Sequence, residues 1–192
     1  MRAFLSVAAL AALSALSQNA AARDYPYSIR PGLSAVVTIG ELSEQRLSAR
    51  VGDGTAQEIA IIGGDEEVDQ FQDVDVDHDG YRDFVIGQTG GGTQAISRIF
   101  LYRPQDGRFL EVPHPDAAAS PCRGFVNPVF DAGKPVFSVA CRYSADTYGF
   151  EEYRVCPDGS AQAISWTRRE GETERRVPHP GSRAGKCVPR PL

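Results

Sequence analysis

The chain has 192 residues and a formal net charge of −5, and 42% of its residues are hydrophobic. This length and composition are sufficient for one domain with a sizeable core. A mildly acidic chain without a basic run is a poor ligand for nucleic acid or for an anionic membrane surface. We therefore expect neither of these partners.

The first 22 residues have the three parts of a secretory signal peptide. Arg2 precedes an apolar run over residues 3–16, and small residues follow up to Ala22. The run is too short for a permanent membrane span. We expect cleavage after Ala22, with Ala20 as the alternative, and a mature domain over residues 23–192. No cysteine follows the apolar run, so no membrane anchor is expected, and the mature chain is predicted to be periplasmic or secreted.

Short runs rich in β-branched and aromatic residues, separated by Gly, Pro and Asp, predict strands from residue 33 onward. The predicted strands are 33–39, 46–51, 57–62, 84–87, 96–102, 109–112, 126–130, 136–142, 151–156, 161–167 and 173–177. Residues 41–47 have an apolar spacing suited to one or two helical turns. The pattern predicts a single all-β antiparallel domain, propeller-like or sandwich-like.

A run of alternating aspartates, at residues 73–79, separates two of these β-rich segments. Unpaired carboxylates this close repel one another, which favours a bound cation over a solvated acidic turn. With Asp75 at position 1, carboxylates stand at 3, 5 and 9 and Gly80 at 6, the spacing of a calcium loop. Position 12 is Ile86, and the apolar flanks predict strand–loop–strand, so a helical EF-hand is disfavoured. The predicted Ca²⁺ ligands are Asp75, Asp77, Asp79, the Tyr81 carbonyl and Asp83.

Four cysteines, Cys122, Cys141, Cys156 and Cys187, lie in the part of the chain predicted to be exported. An even number of cysteines in an oxidising compartment favours two disulfides. The sequence contains no C-x-x-C pair, so a zinc site or a thiol redox site is not expected. The turn at residues 131–134 lies midway between Cys122 and Cys141, which favours that pair and leaves Cys156–Cys187. A second turn separates Cys141 from Cys156, so that pairing remains an alternative.

We find no convincing catalytic set and predict that the chain is not an enzyme. His78 lies within the calcium loop, and His114 and His179 each lie between two prolines, as exposed turn residues do. The serines lack the G-x-S-x-G and S-x-x-K contexts of nucleophiles. The glycines at residues 90–92 predict a mobile loop rather than a phosphate site, because no lysine follows them.

Two segments have the composition of recognition loops. Residues 142–149 are predicted to form a hairpin tip, and an ordinary polar turn is the alternative. In residues 88–94, the glycines would let the backbone enter a narrow cleft. The candidate binding residues in these two segments are Gln88, Thr89, Arg142, Ser144 and Tyr148.

An ordered series of segments resembles a known family. The calcium loop at 75–83 is followed by a Gln-Thr-Gly loop at 88–90, a strand and turn at 98–109, Asn-Pro-Val-Phe at 127–130, and a strand ending in Pro-Asp-Gly at 152–159. This series is similar to the Gram-negative periplasmic family that includes inhibitors of invertebrate-type lysozyme and calcium-binding immunity proteins against peptidoglycan hydrolases. Val155 stands where a tryptophan is common in that family.

The resemblance implies an all-β domain with one structural Ca²⁺, whose loops plug the cleft of a lysozyme-like peptidoglycan hydrolase. Lysozyme inhibitors present S-G-x-x-Y, and Ser144 and Tyr148 match that motif with Ala145 in place of the glycine. The alternative is a calcium-dependent adhesion or carbohydrate-binding module of the integrin-like FG-GAP/VCBS kind. Such a propeller repeats its calcium loop in every blade, whereas here the loop occurs once, which favours the inhibitor.

Overall fold

The computed structural model describes residues 22–41, 45–62, 67–89, 92–179 and Cys187. The predicted signal peptide up to residue 21, most of the C-terminal tail, and Gly90 and Gly91 lie outside these residues. No helix in the described ranges has the length and apolar character needed to cross a membrane.

The described ranges contain fourteen strands, all paired antiparallel, and no helix. Sheet A comprises β1 (Arg23–Arg30), β2 (Leu33–Ile39), β3 (Arg46–Val51) and β4 (Gln57–Ile61). Sheet B comprises β5 (Gln70–Val74), β6 (Asp83–Gln88), β7 (Ile96–Arg103), β8 (Arg108–Glu111) and β9 (Phe125–Val126). Sheet C comprises β10 (Val129–Phe130), β11 (Val136–Arg142), β12 (Thr147–Val155), β13 (Ala161–Glu170) and β14 (Thr173–Arg176). The predicted all-β, antiparallel, sandwich-like domain is confirmed.

Sheet B contributes to two separate core clusters, one on each of its faces. The cluster shared with sheet A contains Phe84, Ile86, Phe100, Tyr102 and Phe109. The cluster shared with sheet C contains Val85, Ile99 and Leu101. Burial on both faces explains the continuous apolar run at residues 84–86, because a core cluster lies on each face of β6. In β11, by contrast, buried and more exposed residues alternate, since only one face is covered.

The first strand, β1, is absent from the sequence prediction, which began at residue 33. Its proline and three charged residues are unusual in a strand, so the sequence pattern did not predict it. In the structure it pairs with β2 along almost its whole length. It is an edge strand, and an edge tolerates Pro26 because one side of the backbone needs no partner. Tyr25 stacks on Phe71 of sheet B at 4.6 Å, and Ile29 is fully buried, so packing stabilises the strand.

Three predicted elements differ clearly from the structure, and β13 ends at Glu170, three residues beyond its predicted end. The strand predicted at 126–130 is two short strands, because the chain passes from sheet B to sheet C at Asn127, whose φ is +43°. The hairpin predicted at 142–149 is tighter: β12 begins at Thr147, and Arg142 and Tyr148 face each other across the two strands. Residues 46 and 47 of the predicted helical turn belong to β3, and residues 42–44 lie outside the described residues.

Both predicted disulfides, Cys122–Cys141 and Cys156–Cys187, are present. Cys122 lies before β9 rather than in the β10–β11 hairpin, so the first bond ties the β8–β9 connection to sheet C. The second bond anchors the C-terminal segment to the end of β12. Loop closure of this kind restricts the unfolded chain and contributes roughly 3 kcal/mol per bond.

Candidate functional site

The predicted calcium loop connects β5 to β6, at the end of sheet B. Its backbone has positive φ at His78 (+60°) and Gly80 (+88°), and an added Cβ at Gly80 would meet no atom within 4 Å. Glycine is therefore favoured at position 80 by conformation and not by lack of space. The loop also hydrogen-bonds to itself, since the Gly80 N–H donates to Asp75 Oδ2 at 3.1 Å and the Tyr81 N–H to Asp79 Oδ1 at 2.9 Å.

Three of the predicted ligands converge. Asp75, Asp77 and Asp83 each place one carboxylate oxygen within 4.8 Å of the others. Asp79 does not belong to this group. The Tyr81 side chain lies towards sheet A, where its hydroxyl accepts a 2.9 Å hydrogen bond from Arg30 Nη1. This orientation is compatible with the prediction that Tyr81 would contribute only its backbone carbonyl to the ion.

The three carboxylates differ in the number of hydrogen bonds that they accept from the protein. Both oxygens of the fully buried Asp83 accept backbone N–H groups, from Val76 at 2.8 Å and Tyr102 at 2.7 Å. Asp75 Oδ1 and Asp77 Oδ1 are buried without a hydrogen-bond partner among the described residues. An unpartnered buried carboxylate oxygen is costly, and a cation among these three side chains would satisfy both. All-oxygen donors of this kind suit a hard divalent cation such as Ca²⁺.

The raised pKa values of two aspartates in and beside the loop are consistent with a site that favours a bound cation. Burial raises the pKa of the Asp83 carboxyl to about 8, although its two backbone hydrogen bonds act in the opposite direction. Burial and the neighbouring Asp79 raise the pKa of Asp77, and Arg103 opposes them with Nη1 at 3.2 Å from Asp77 Oδ2. Arg103 thus compensates only part of the negative charge of Asp75, Asp77 and Asp83, while Arg82 pairs with Asp73 at 2.8 Å.

The loop contacts all three sheets. The Arg82 N–H donates to the Ile29 carbonyl of sheet A at 2.8 Å. Asp83 accepts from Tyr102 of β7 within sheet B, as above. The His78 ring, as Nε2–H, donates to the Asp131 carbonyl in the β10–β11 turn of sheet C at 3.0 Å. A cation that orders this loop would therefore act on the whole domain.

The two predicted recognition segments lie side by side. Gln94 donates through Nε2 to the Arg142 carbonyl at 3.0 Å, and its Oε1 accepts from the Arg142 N–H at 2.5 Å. The amide of Gln94 thus joins the β6–β7 connection to the end of β11. Gln88 ends β6, and the Thr89 hydroxyl and N–H both donate to the Asp69 carboxylate, which ties the start of that connection to sheet B.

The hydroxyl groups of the hairpin between β11 and β12 form hydrogen bonds within the hairpin itself. Ser144 Oγ donates to Asp146 Oδ1 at 2.7 Å, and the Tyr148 hydroxyl donates to the Ala145 carbonyl at 3.2 Å. Arg142 Nε donates to the Ser144 carbonyl at 2.7 Å. The tip is consequently a structured turn, in which neither predicted hydroxyl is directed to an outside partner.

A buried polar network in the core between sheets B and C was missed by the sequence analysis. Glu151 accepts from Ser120 Oγ at 2.5 Å, from the Cys122 N–H at 2.7 Å and from the Tyr153 hydroxyl at 2.6 Å. The same Tyr153 oxygen accepts from Trp166 Nε1 at 3.1 Å. Burial acts to raise the pKa of Glu151, but its hydrogen bonds outweigh that effect and hold the pKa below its ordinary value.

The prediction that His114 is an exposed turn residue is wrong. Its side chain is only 10% exposed, and Nε2 lies 2.9 Å from the Tyr153 hydroxyl, with the ring packed on Phe125. His179, in the second Val-Pro-His-Pro segment, lies 5.9 Å from the Trp166 ring. One signal for this network existed in the sequence: strand alternation in β12 places Glu151 on the same buried face as Tyr153.

The hydrogen-bonded side chains of this network are enclosed in the core. Ser120, Glu151 and Tyr153 are at most 4% exposed, so a substrate has no access to them. The network satisfies buried polar groups and connects the segment containing Cys122 to sheet C, which is a structural role.

Comparisons with family models, with curated proteins and with solved structures gave no match to this chain.

Proposed function

We propose that this chain is an exported, calcium-binding protein that inhibits a lysozyme-like peptidoglycan hydrolase and is not itself an enzyme. The apolar N-terminal segment and the two disulfides support export, since disulfides persist in oxidising compartments. The observation that carries the inhibitor proposal is the Gln94–Arg142 contact, which joins the two predicted recognition segments into one surface.

The cation part of the proposal is supported by the unpartnered oxygens of Asp75 and Asp77 beside Asp83. These three residues would hold Ca²⁺, with Asp79 and the Tyr81 carbonyl as the remaining predicted ligands. The ion would supply positive charge that Arg103 alone does not provide. Its role here is structural, because it would stabilise a loop that contacts all three sheets.

The inhibitor part follows from complementary chemistry. A lysozyme-type cleft contains a pair of catalytic carboxylates. The surface at the end of β11 offers arginine and tyrosine side chains, which are frequent anchors of protein interfaces. Strands hold these side chains in place, so little conformational entropy is lost on binding.

The experiment is an inhibition assay of the mature chain against a panel of lysozyme-type muramidases, with calcium present. We expect at least one to be inhibited, and Tyr148→Ala to weaken that inhibition by on the order of 2 kcal/mol, or roughly 30-fold. Leu110→Ala, an exposed apolar residue of sheet B, serves as the control and should leave inhibition unchanged. Failure to inhibit or bind any muramidase at micromolar concentration would contradict the proposal.

One observation favours the alternative, a carbohydrate-binding module. A groove of about 570 Å³ lies against β5 and β6 and is lined by amide, hydroxyl and carboxylate side chains, including Gln70, Gln72, Ser97 and Asn127. Such groups suit the hydroxyls of a sugar. Binding of the mature chain to an immobilised glycan panel, lost in Gln72→Ala, together with no response to muramidases, would replace the inhibitor proposal with this one.

A further inference from the structure

Arginine side chains lie on aromatic rings at one end of the outer face of sheet C. Arg169 Cζ lies 4.9 Å from the ring centroid of Tyr148 and 5.2 Å from that of Phe150. Arg142 Cζ lies 5.7 Å from the centroid of the same Tyr148 ring. These distances are typical of cation–π contacts. We call the surface formed by Arg142, Tyr148, Phe150 and Arg169 the arginine–tyrosine surface.

Strand register defines the position of these side chains. Tyr148 in β12 pairs with Arg142 in β11 on one side and with Arg169 in β13 on the other. Phe150 follows two residues along β12, on the same face as Tyr148. Two guanidinium groups are therefore held on either side of one ring by three adjacent backbones, and they are not carried on a loop tip.

The arginines, and not the hydroxyls, are the donors that this surface can offer. The hydroxyls of Ser144 and Tyr148 are both used within the hairpin. Among the described residues, the Arg142 side chain donates one hydrogen bond, from Nε to the Ser144 carbonyl. The Arg169 side chain forms no hydrogen bond or ion pair with any residue in the described part of the chain, even though Glu174 stands opposite it in the register.

We propose that the arginine–tyrosine surface binds paired carboxylates of an acidic partner protein, with Arg169 as the principal contact and Arg142 as the second. A guanidinium fork matches a carboxylate with two parallel hydrogen bonds, and a ring beneath it restricts its rotamers in advance. The chain is acidic overall, with a net charge of −5, so this local positive charge is not a consequence of general basicity. The identification of the partner as a muramidase rests on the proposed function. The inference that this surface binds carboxylates rests on the arginine and tyrosine geometry alone.

The first test needs no partner protein. Arginine Nε–Hε signals of the mature chain are followed by NMR during titration with glutarate, which carries two carboxylates, and with glutaramide as the uncharged control. We expect glutarate to shift the signals of Arg169 and Arg142 and glutaramide to shift neither. Arg108, exposed in β8 of sheet B, is the internal reference. Equal shifts at Arg108 and Arg169 would overturn the inference.

The second test uses any muramidase that the inhibition panel identifies. Arg169→Gln should weaken its binding by at least roughly 30-fold and reduce the salt dependence of the affinity, whereas Arg108→Gln should change neither. Arg169→Lys, which retains the charge without the fork, should give an intermediate affinity. Unchanged affinity in Arg169→Gln, with an unchanged melting temperature, would overturn the inference. Glutarate shifts without any bound muramidase would contradict the proposed function and leave the carboxylate site supported.

Discussion

Gly149 is a residue whose identity is decided by close packing. It lies in β12 opposite Cys141, where an added Cβ would be 2.7 Å from Cys141 Sγ and 3.0 Å from the Pro121 Cβ. Cys122 Sγ would lie at 3.1 Å, so the Cys122–Cys141 disulfide occupies the space of a side chain. Because a disulfide cannot rotate away as a flexible side chain can, the strand backbone would have to move.

We expect Gly149→Ala to lower the free energy of unfolding by about 1–3 kcal/mol, the usual cost of overpacking. The measurement is urea denaturation of the oxidised protein. Gly133→Ala is the control, because its Cβ would meet Asp131 Oδ1 at an ordinary 3.5 Å. Equal losses in both variants would contradict the packing explanation.

Strand β12 has two faces with different chemistry. Its inner face carries Glu151 and Tyr153 into the polar network, and its outer face carries Tyr148 and Phe150 to the arginines. Alternation of side chains along one strand therefore separates a buried polar network from a partly exposed candidate binding surface.

The network predicts a pH dependence of stability. The pKa of Glu151 is lower in the folded chain than its ordinary value, so the ionised form is favoured by folding. The resulting stability is fully present above the unfolded pKa, about 4.3, and is lost as the pH falls through the folded pKa. Chemical denaturation of wild type and Glu151→Gln as a function of pH is the measurement.

We expect the difference in unfolding free energy between wild type and Glu151→Gln to be constant at neutral pH and to shrink below about pH 4. Glu152→Gln, on the more exposed face of the same strand, is the matched control. A difference that stays the same down to pH 2 would contradict the assignment of this pH dependence to Glu151.

In the whole molecule, the predicted calcium loop lies where the three sheets meet. The Arg82 N–H donates to Ile29 of sheet A, and the His78 ring donates to Asp131 in the β10–β11 turn of sheet C. Asp83, which follows the loop, accepts from Tyr102 of sheet B. We therefore expect calcium removal to destabilise the domain as one unit. Calcium at about 100 times its Kd would add about 2.7 kcal/mol to the free energy of unfolding.

The expected result is that a chelator lowers the melting temperature of the wild type and weakens amide hydrogen-exchange protection in all three sheets. Asp77→Asn should melt at one temperature with calcium or with chelator, while Asp106→Asn, in the exposed β7–β8 turn, should respond as the wild type does. An unchanged wild-type melting curve in excess chelator would disprove the calcium site.

The sequence by itself determined the fold class, most strands, the position of the aspartate loop and the presence of two disulfides, whose pairing it favoured without excluding Cys141–Cys156. These properties depend on local patterns: alternation of apolar residues, turn residues, aspartate spacing and cysteine count. The three convergent carboxylates, Asp75, Asp77 and Asp83, also lie within one short segment, and their spacing in the sequence predicted all three as ligands. Asp79 lies outside that group, which spacing alone did not indicate.

Only the tertiary structure decided which distant residues meet. The edge strand β1 is stabilised by Phe71 of another sheet, so its own propensity did not reveal it. His114 lies buried against Tyr153, 39 residues away, and Arg169 lies over Tyr148 through strand pairing. Such contacts depend on sheet stacking and register between segments far apart in the chain, which a pattern within one short window does not specify.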